Sequence, residues 1–245
     1  MGYYDYQQGL IYRHLNQDKG WLSHEEHCRN FIIKALDHYK PPKVTVYGSG
    51  WLLELPLTEM AERVESISLV DIIHPPEVIT QTAGFQNVQL VEEDVTGGLI
   101  EEVWKKAGNK TFLNRLSSLN SISIPEYQPV NDPGLVISLN ILTQLEALPE
   151  KFLRKKSKAT EEDFLNFRKK VQLVHLRFLE KHKSVMISDI AEVYTKEGGS
   201  SYQNDTVVAE LPAGKIREDW IWDFDLAGTD YYQKKSVFKV AAILI

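Results

Sequence analysis

Lys43-Val44-Thr45-Val46-Tyr47-Gly48-Ser49-Gly50, followed some sixteen positions on by Ile67-Ser68-Leu69-Val70-Asp71, decides the reading of this chain. The first run is apolar with β-branched residues, as a strand would be, and two glycines break it. The stretch between the runs reads as a helix over about Leu53 to Arg63, and the second run as a strand of about Ser66 to Asp71. A strand, a glycine turn, a helix and a strand closing on an acid make the nucleotide-binding half of an open α/β sheet. Glycines let the backbone approach a ligand, and an acid about 20 residues on can take two ribose hydroxyls. The stretch predicts a nucleoside-type cofactor site.

The alternation continues in both directions. Upstream, Ser23 with Glu26 looks like a capping box that opens a helix with Phe31, Ile32, Ala35 and Leu36 on one face, ended by Pro41-Pro42. Downstream, Pro75-Pro76 opens a short helix closed near Gly84, and Asn87 to Val91 is a third strand running into Glu92-Glu93-Asp94. A helix starts near Gly98, and the segment from Lys110 to Asp132 reads as an irregular excursion. Gly134 to Leu139 is a near-continuous apolar run, as a strand covered on both faces would be. A helix over Asn140 to Ala147 is expected next, then a mobile basic stretch from Lys151 to Lys158. Thr160 with Asp163 caps a long amphipathic helix to about Lys181.

Ser184 to Asp189 is a fifth strand. After it the helices stop: Gly198-Gly199-Ser200-Ser201 reads as a turn, Trp220 to Phe224 alternates, and Val237 to Leu244 is apolar. Two strands with no helix between them predict an antiparallel pair at one sheet edge. The fold class is therefore α/β: a doubly wound, mostly parallel Rossmann-like sheet ending in an antiparallel hairpin. Residues 1–40 form an N-terminal helical cap or lid, and 41–245 the main domain.

Bulk properties narrow the function classes. At 245 residues the chain is long enough for a large core, and 43% hydrophobic with 25% charged residues is ordinary for a globular domain. A net charge of −6 gives no general attraction to nucleic acid or anionic membrane, so nucleic acid is disfavoured. Cys28 is the only cysteine, which excludes an internal disulfide and a thiolate metal cluster and suits the reducing cytoplasm. No apolar run approaches the ~20 residues of a membrane span. The oligomeric state leaves no mark on the sequence.

The layout from Lys43 onward resembles the class I S-adenosylmethionine-dependent methyltransferases. Leu69-Val70-Asp71-Ile72-Ile73-His74, Glu93-Asp94-Val95-Thr96 and Ser138 to Leu145 also resemble a bacterial methyltransferase-like group of unassigned substrate. That resemblance implies S-adenosylmethionine as cofactor and methyl transfer to a small-molecule acceptor. It places Gly48, Ser49 and Gly50 beside the methionine part, Asp71 with Ile72 at the ribose, and Asp94 with Val95 at the adenine. Ser138 and Asn140 fall at the edge of the methyl-transfer site. Two departures stand out: Val46 occupies the position where the family often has an acid, and Leu52 that of a third glycine. Glu54, close by, is a substitute partner for the cofactor's ammonium or a plain helix residue.

Each candidate has a plainer reading. The glycines can serve the turn alone, Asp71 can end a strand, and Asp94 can belong to an ordinary turn. Asn140 can cap a helix or hold substrate, and His74 can pack on a loop or act as a base; these two are the weak catalytic candidates. His24, His27 and Cys28 share a helix, but a structural role outweighs a metal site, and no metal is expected. Tyr3, Tyr4, Tyr6, Tyr12 and Trp21 supply a lid over the cofactor opening or a tail packed elsewhere. Two rival functions remain: a non-catalytic cofactor-binding or regulatory protein, and a nicotinamide-dependent oxidoreductase. The second is disfavoured because Leu53 stands where Gly-x-Gly-x-x-Gly needs its third glycine.

Overall fold

Among the described residues, eight strands make one sheet in the order β3-β2-β1-β4-β5-β8-β7, with β6 beside β5. The structure is a computed structural model, and it describes residues 1–16, 19–195, 201–228 and 235–245. The predicted turn at Gly198 to Ser200 lies outside the described residues. β1 (Lys43–Tyr47) runs parallel to β2 (Ser66–Asp71) on one side and to β4 (Leu135–Leu139) on the other. β3 (Val88–Glu92) extends the sheet past β2, and β5 (Ser184–Thr195) past β4, both parallel. β8 (Lys235–Leu244) is antiparallel to β5 and to β7 (Ile216–Asp225). The parallel sheet with its antiparallel edge is the architecture expected from the sequence.

Period-two alternation sorts each central strand between two cores. Val44, Val46, Ile137 and Leu139 face α2 (Leu22–Tyr39) and α3 (Leu57–Arg63), in a cluster with Phe31, Ile32 and Met60. Tyr47, Val136 and Met186 face the opposite side, where α5 (Leu99–Ala107) and α7 (Glu161–Glu180) supply Leu99, Val103, Phe164 and Leu176. Helices on both faces explain why β4 is buried at every position. Thr160 and Asp163 do form the capping box that opens α7.

Several boundaries differ from expectation. α2 begins at Leu22 with no side-chain cap, so Ser23 lies inside the helix. Burial decided this: Trp21 packs into the core, and its indole donates to the Phe224 carbonyl at 3.0 Å. α3 begins at Leu57, not at Leu53. Leu52 adopts φ 64°, and Pro56 disfavours helical backbone at the residue before it. No helix follows β4 directly, because Asn140 sits at φ 49° and bends the chain. The helix there, α6 (Ala147–Lys156), instead includes most of the basic stretch read as mobile. Arg154 is held in it by Glu150 and Glu161, each at 2.7 Å. β5 continues six residues past Asp189, across a register shift, and β6 (Ser201–Asp205) pairs with that overhang.

Residues 3–15, which show no clear period in the sequence, form a helix, α1 (Tyr3–Leu15). The helix α4 (Pro76–Thr82) connects β2 to β3. No helix among the described residues is long and apolar enough to cross a membrane.

Candidate cofactor site

The C-terminal ends of β1, β2, β3 and β4 open into one cavity, at the point where β1 has neighbours leading in opposite directions. Open α/β sheets bind ligands in this crevice. The cavity encloses about 1030 Å³ of space, its open mouth included. Gly48, Gly50, Asp71, Ile72, Asp94 and Val95 all border it, as does Asn140. Ser49, His74 and Ser138 do not.

Strand geometry accounts for those three. Ser138 lies on the α7 side of β4, fully buried, with its hydroxyl 2.8 Å from His175 Nε2. Ser49 is buried behind the turn. His74 is buried too, with Nε2 3.2 Å from the Val91 carbonyl.

The glycine turn has two distinct halves. Gly48 has φ 81°, and a Cβ on it would lie 2.5 Å from the Leu139 carbonyl oxygen and 2.9 Å from Ile141 Cβ. That glycine is required for packing β1 against β4. Gly50, at φ 50°, has only the Gly48 carbonyl within reach, at 3.9 Å, so it leaves open space in the cavity wall. Leu52 keeps the left-handed backbone that a third glycine would adopt freely.

Asp71 is tied into this turn. Its Oδ2 accepts the Gly50 N–H at 2.9 Å, and its Oδ1 accepts the Ile72 N–H at 2.8 Å. Burial raises its pKa, and the two amides offset part of that rise. Asp94 makes an Asx turn, Oδ1 accepting both the N–H and the hydroxyl of Thr96.

α1 closes one side of the cavity with Tyr3, Tyr6, Gln7, Leu10 and Ile11. Gln7 reaches inward, and its side-chain amide donates to Asp71 Oδ1 at 2.9 Å. Trp51 Nε1 donates to the Gln7 carbonyl at 3.2 Å. Burial and the nearby Asp94 push the Tyr3 phenol far above its usual value. None of these α1 contacts was visible in the sequence beyond its tyrosines.

At the other end, Trp21, Trp222, Glu54 and Asn140 meet. Trp220 Nε1 donates to His24 Nδ1 at 3.0 Å. An indole N–H only donates, so the His24 ring proton resides on Nε2. Burial lowers His24 to about 3, so the ring is neutral. Nε2 lies 3.2 Å from the Asn140 side-chain amide. The same amide terminus lies 3.5 Å from Glu54 Oε1, so His24 and Glu54 both contact it. The amide's other terminal atom is buried and without a partner. His24 therefore orients Asn140, which is the role the histidine pair had not revealed. Among the described residues no group of three or more His, Cys, Asp or Glu is arranged to hold a metal ion.

Two carboxyls in this region are perturbed. Burial pushes Glu54 up to about 7 and Glu146 up to about 8, from 4.5. Each binds its proton more tightly in the folded chain, so its stabilising contribution is complete below about pH 4.5. It is lost as pH rises through 7 for Glu54 and 8 for Glu146. Glu146 accepts from Gln172 Nε2 at 2.7 Å and does not border the cavity. Glu146→Gln is expected to flatten the fall in Tm between pH 5 and 8, measured by thermal unfolding at fixed ionic strength. An unchanged slope would place the titration elsewhere.

No protein-family model matches the sequence, and no curated protein matches it. Solved structures with a similar course of chain include three bound to S-adenosylhomocysteine. The DhpI complex is 10% identical, with 97% of this chain and 93% of that one covered and a TM-score of 0.39. The 1,6-didemethyltoxoflavin-N1-methyltransferase of Burkholderia thailandensis is 10% identical, with 98% and 87% covered and a TM-score of 0.41. The N-methyltransferase NodS of Bradyrhizobium japonicum WM9 is 10% identical, with 96% and 97% covered and a TM-score of 0.40.

Proposed function

We propose that this chain is an S-adenosylmethionine-dependent methyltransferase acting on a small-molecule acceptor. The observation that carries the reading is the buried Asp71 carboxylate, clamped by the Gly50 amide at the mouth of the β1 turn and bordering the cavity. A ribose on Asp71 leaves Asp94 and Val95 for the adenine, in the β2–β3 half of the space. The cofactor supplies a methyl group already activated on a sulfonium. The protein's part is then to align donor and acceptor and to exclude water, which needs no strong base. The aromatic wall from Tyr3, Tyr6, Trp21 and Trp222 suits that task. No Lys, Arg or His is among the described residues bordering the cavity, which argues against an anionic acceptor such as nucleic acid.

The helix α1 serves as the lid. Gln7 holds the same Asp71 oxygen that a ribose hydroxyl would use, so ligand entry requires Gln7 to yield. Gln7→Ala is expected to tighten S-adenosylhomocysteine binding by roughly tenfold, the worth of one hydrogen bond to a charged group. Weaker binding in a calorimetric titration would make Gln7 a ligand contact.

Incubation with S-adenosylmethionine and, separately, with NADH tests the function. A rise in Tm with the first and unchanged nicotinamide fluorescence with the second is expected. The reverse pattern would establish the oxidoreductase reading instead.

A further inference from the structure

We propose that the turn Thr111-Phe112-Leu113-Asn114, together with the basic end of α6, docks this protein on an anionic membrane surface. Phe112 and Leu113 enter the head-group layer, and the surrounding lysines and arginine meet the lipid phosphates.

Charge supports this first. From Gly108 to Pro125 and from Lys151 to Thr160 there is no Asp or Glu, although acids outnumber Lys and Arg by 34 to 28 over the chain. The fold joins these two segments. The Leu116 N–H donates to the Lys156 carbonyl at 2.9 Å, and the Lys158 N–H donates to the Leu116 carbonyl at 2.8 Å. Lys156 Nζ also donates to the Lys110 carbonyl at 2.6 Å. On the joined segments and the adjacent α5, Lys105, Lys110, Arg115, Lys151, Lys155 and Lys158 form no ion pair among the described residues. The acids of α5 and α6 are mostly taken: Glu102 faces Lys106 at 3.9 Å and Glu150 holds Arg154 at 2.7 Å, which leaves Glu101. Salt screens charges beyond about 8 Å, so this patch acts locally despite the net charge of −6.

The tip itself is the second, independent observation. The Thr111 N–H and hydroxyl donate to Asn114 Oδ1 at 2.6 and 3.0 Å, and the Asn114 N–H donates to the Thr111 carbonyl at 3.2 Å. That closed turn holds Phe112 and Leu113 at its corners, 76% and 90% exposed, where they serve no core. The Arg115 guanidinium lies 4.6 Å from the Phe112 ring centroid, which keeps a cation beside the apolar tip. Trp104, more than half exposed, stacks on Phe152 at 5.4 Å, and Lys156 Nζ lies over the same Phe152 ring. An indole with one wet edge suits the same interface. An apolar tip within a basic collar complements a bilayer that offers phosphate outside and hydrocarbon beneath. Nucleic acid fits less well, because Leu113 has no ring on which a base can stack.

Co-sedimentation of the full chain with vesicles tests this, using phosphatidylcholine alone and phosphatidylcholine with about one third phosphatidylglycerol. Wild type is expected to sediment with the anionic vesicles, less so as salt is raised, and to stay in solution with phosphatidylcholine alone. A double variant, Phe112→Ser with Leu113→Ser, is expected to bind the anionic vesicles about tenfold or more weakly with Tm unchanged, since both side chains are exposed. Lys155→Glu with Lys158→Glu is expected to lose a similar factor, which tests the collar separately from the tip. Wild type that stays in solution with anionic vesicles overturns the proposal. So does binding as tight to phosphatidylcholine alone, or wild-type affinity in either folded double variant. A wild type that ignores vesicles but retains a single-stranded oligonucleotide would make the patch a nucleic-acid surface instead. No cofactor is added, so failure here leaves the methyltransferase reading standing.

Discussion

Asp71→Ala is expected to weaken S-adenosylhomocysteine binding by about a hundredfold or more. Each charge-assisted hydrogen bond from a ribose hydroxyl is worth roughly 1.5–3 kcal/mol when lost, and two are expected. The substitution also strips the Gly50 and Ile72 amides of their acceptor, so the turn that shapes the site loosens with it. Some loss of stability accompanies the loss of affinity, about 1–3 kcal/mol for each amide left buried and unpaired. Asp71→Asn separates the two effects, because its carboxamide oxygen can keep one amide satisfied. Affinity in Asp71→Asn well below wild type, with the Tm loss of Asp71→Ala about half recovered, is the expected pattern. Wild-type affinity in a folded Asp71→Ala protein would remove Asp71 from the site.

Gly48→Ala is expected to damage the fold far more than Gly50→Ala. A methyl at Gly48 would lie 2.5 Å from the Leu139 oxygen, between two adjacent central strands that are packed on both faces. Neither strand can move aside cheaply, so overpacking of roughly 1–3 kcal/mol adds to about 1 kcal/mol for a side chain in the left-handed region. For a domain of this size the sum corresponds to a Tm lowered by roughly 5–15 °C. At Gly50 only the backbone term applies, because the space beside it is open. Thermal unfolding of the two variants side by side tests this. Equal losses would mean that the strand contact at Gly48 does not hold the turn.

The parallel half of the sheet was legible because its signals are local. The apolar runs, the glycines after β1 and the acid at the end of β2 each fix a short stretch of backbone, and each lies where its residue types predict. The antiparallel edge was legible for a similar reason: Trp220 and Trp222 alternate with polar neighbours, and no helix intervenes before Val237. What was not legible depends on contacts between distant residues. α1 buries mainly Gln7, so it carries no apolar stripe to announce a helix. Its docking surface is assembled from Trp51 and Asp71, well downstream.

The site was legible to a similar extent. Gly48, Gly50, Asp71, Ile72, Asp94, Val95 and Asn140 converge on one cavity, whereas Ser49, Ser138 and His74 turn away from it. For Ser138 the reason is strand alternation, which sends it toward α7 and leaves the strand end to face the crevice. Asn140 enters the cavity through a left-handed backbone that its residue type tolerates but does not advertise. His24 had been set aside as structural, and it does hold Asn140 in place. The sequence offered no sign of that link, because Trp220 lies 196 positions away from it.

Isothermal titration of the full chain with S-adenosylhomocysteine tests the central claim most directly. One site per chain is expected, with the heat of binding lost or strongly reduced in Asp71→Ala. No measurable binding by the folded wild-type protein at millimolar ligand would contradict the account.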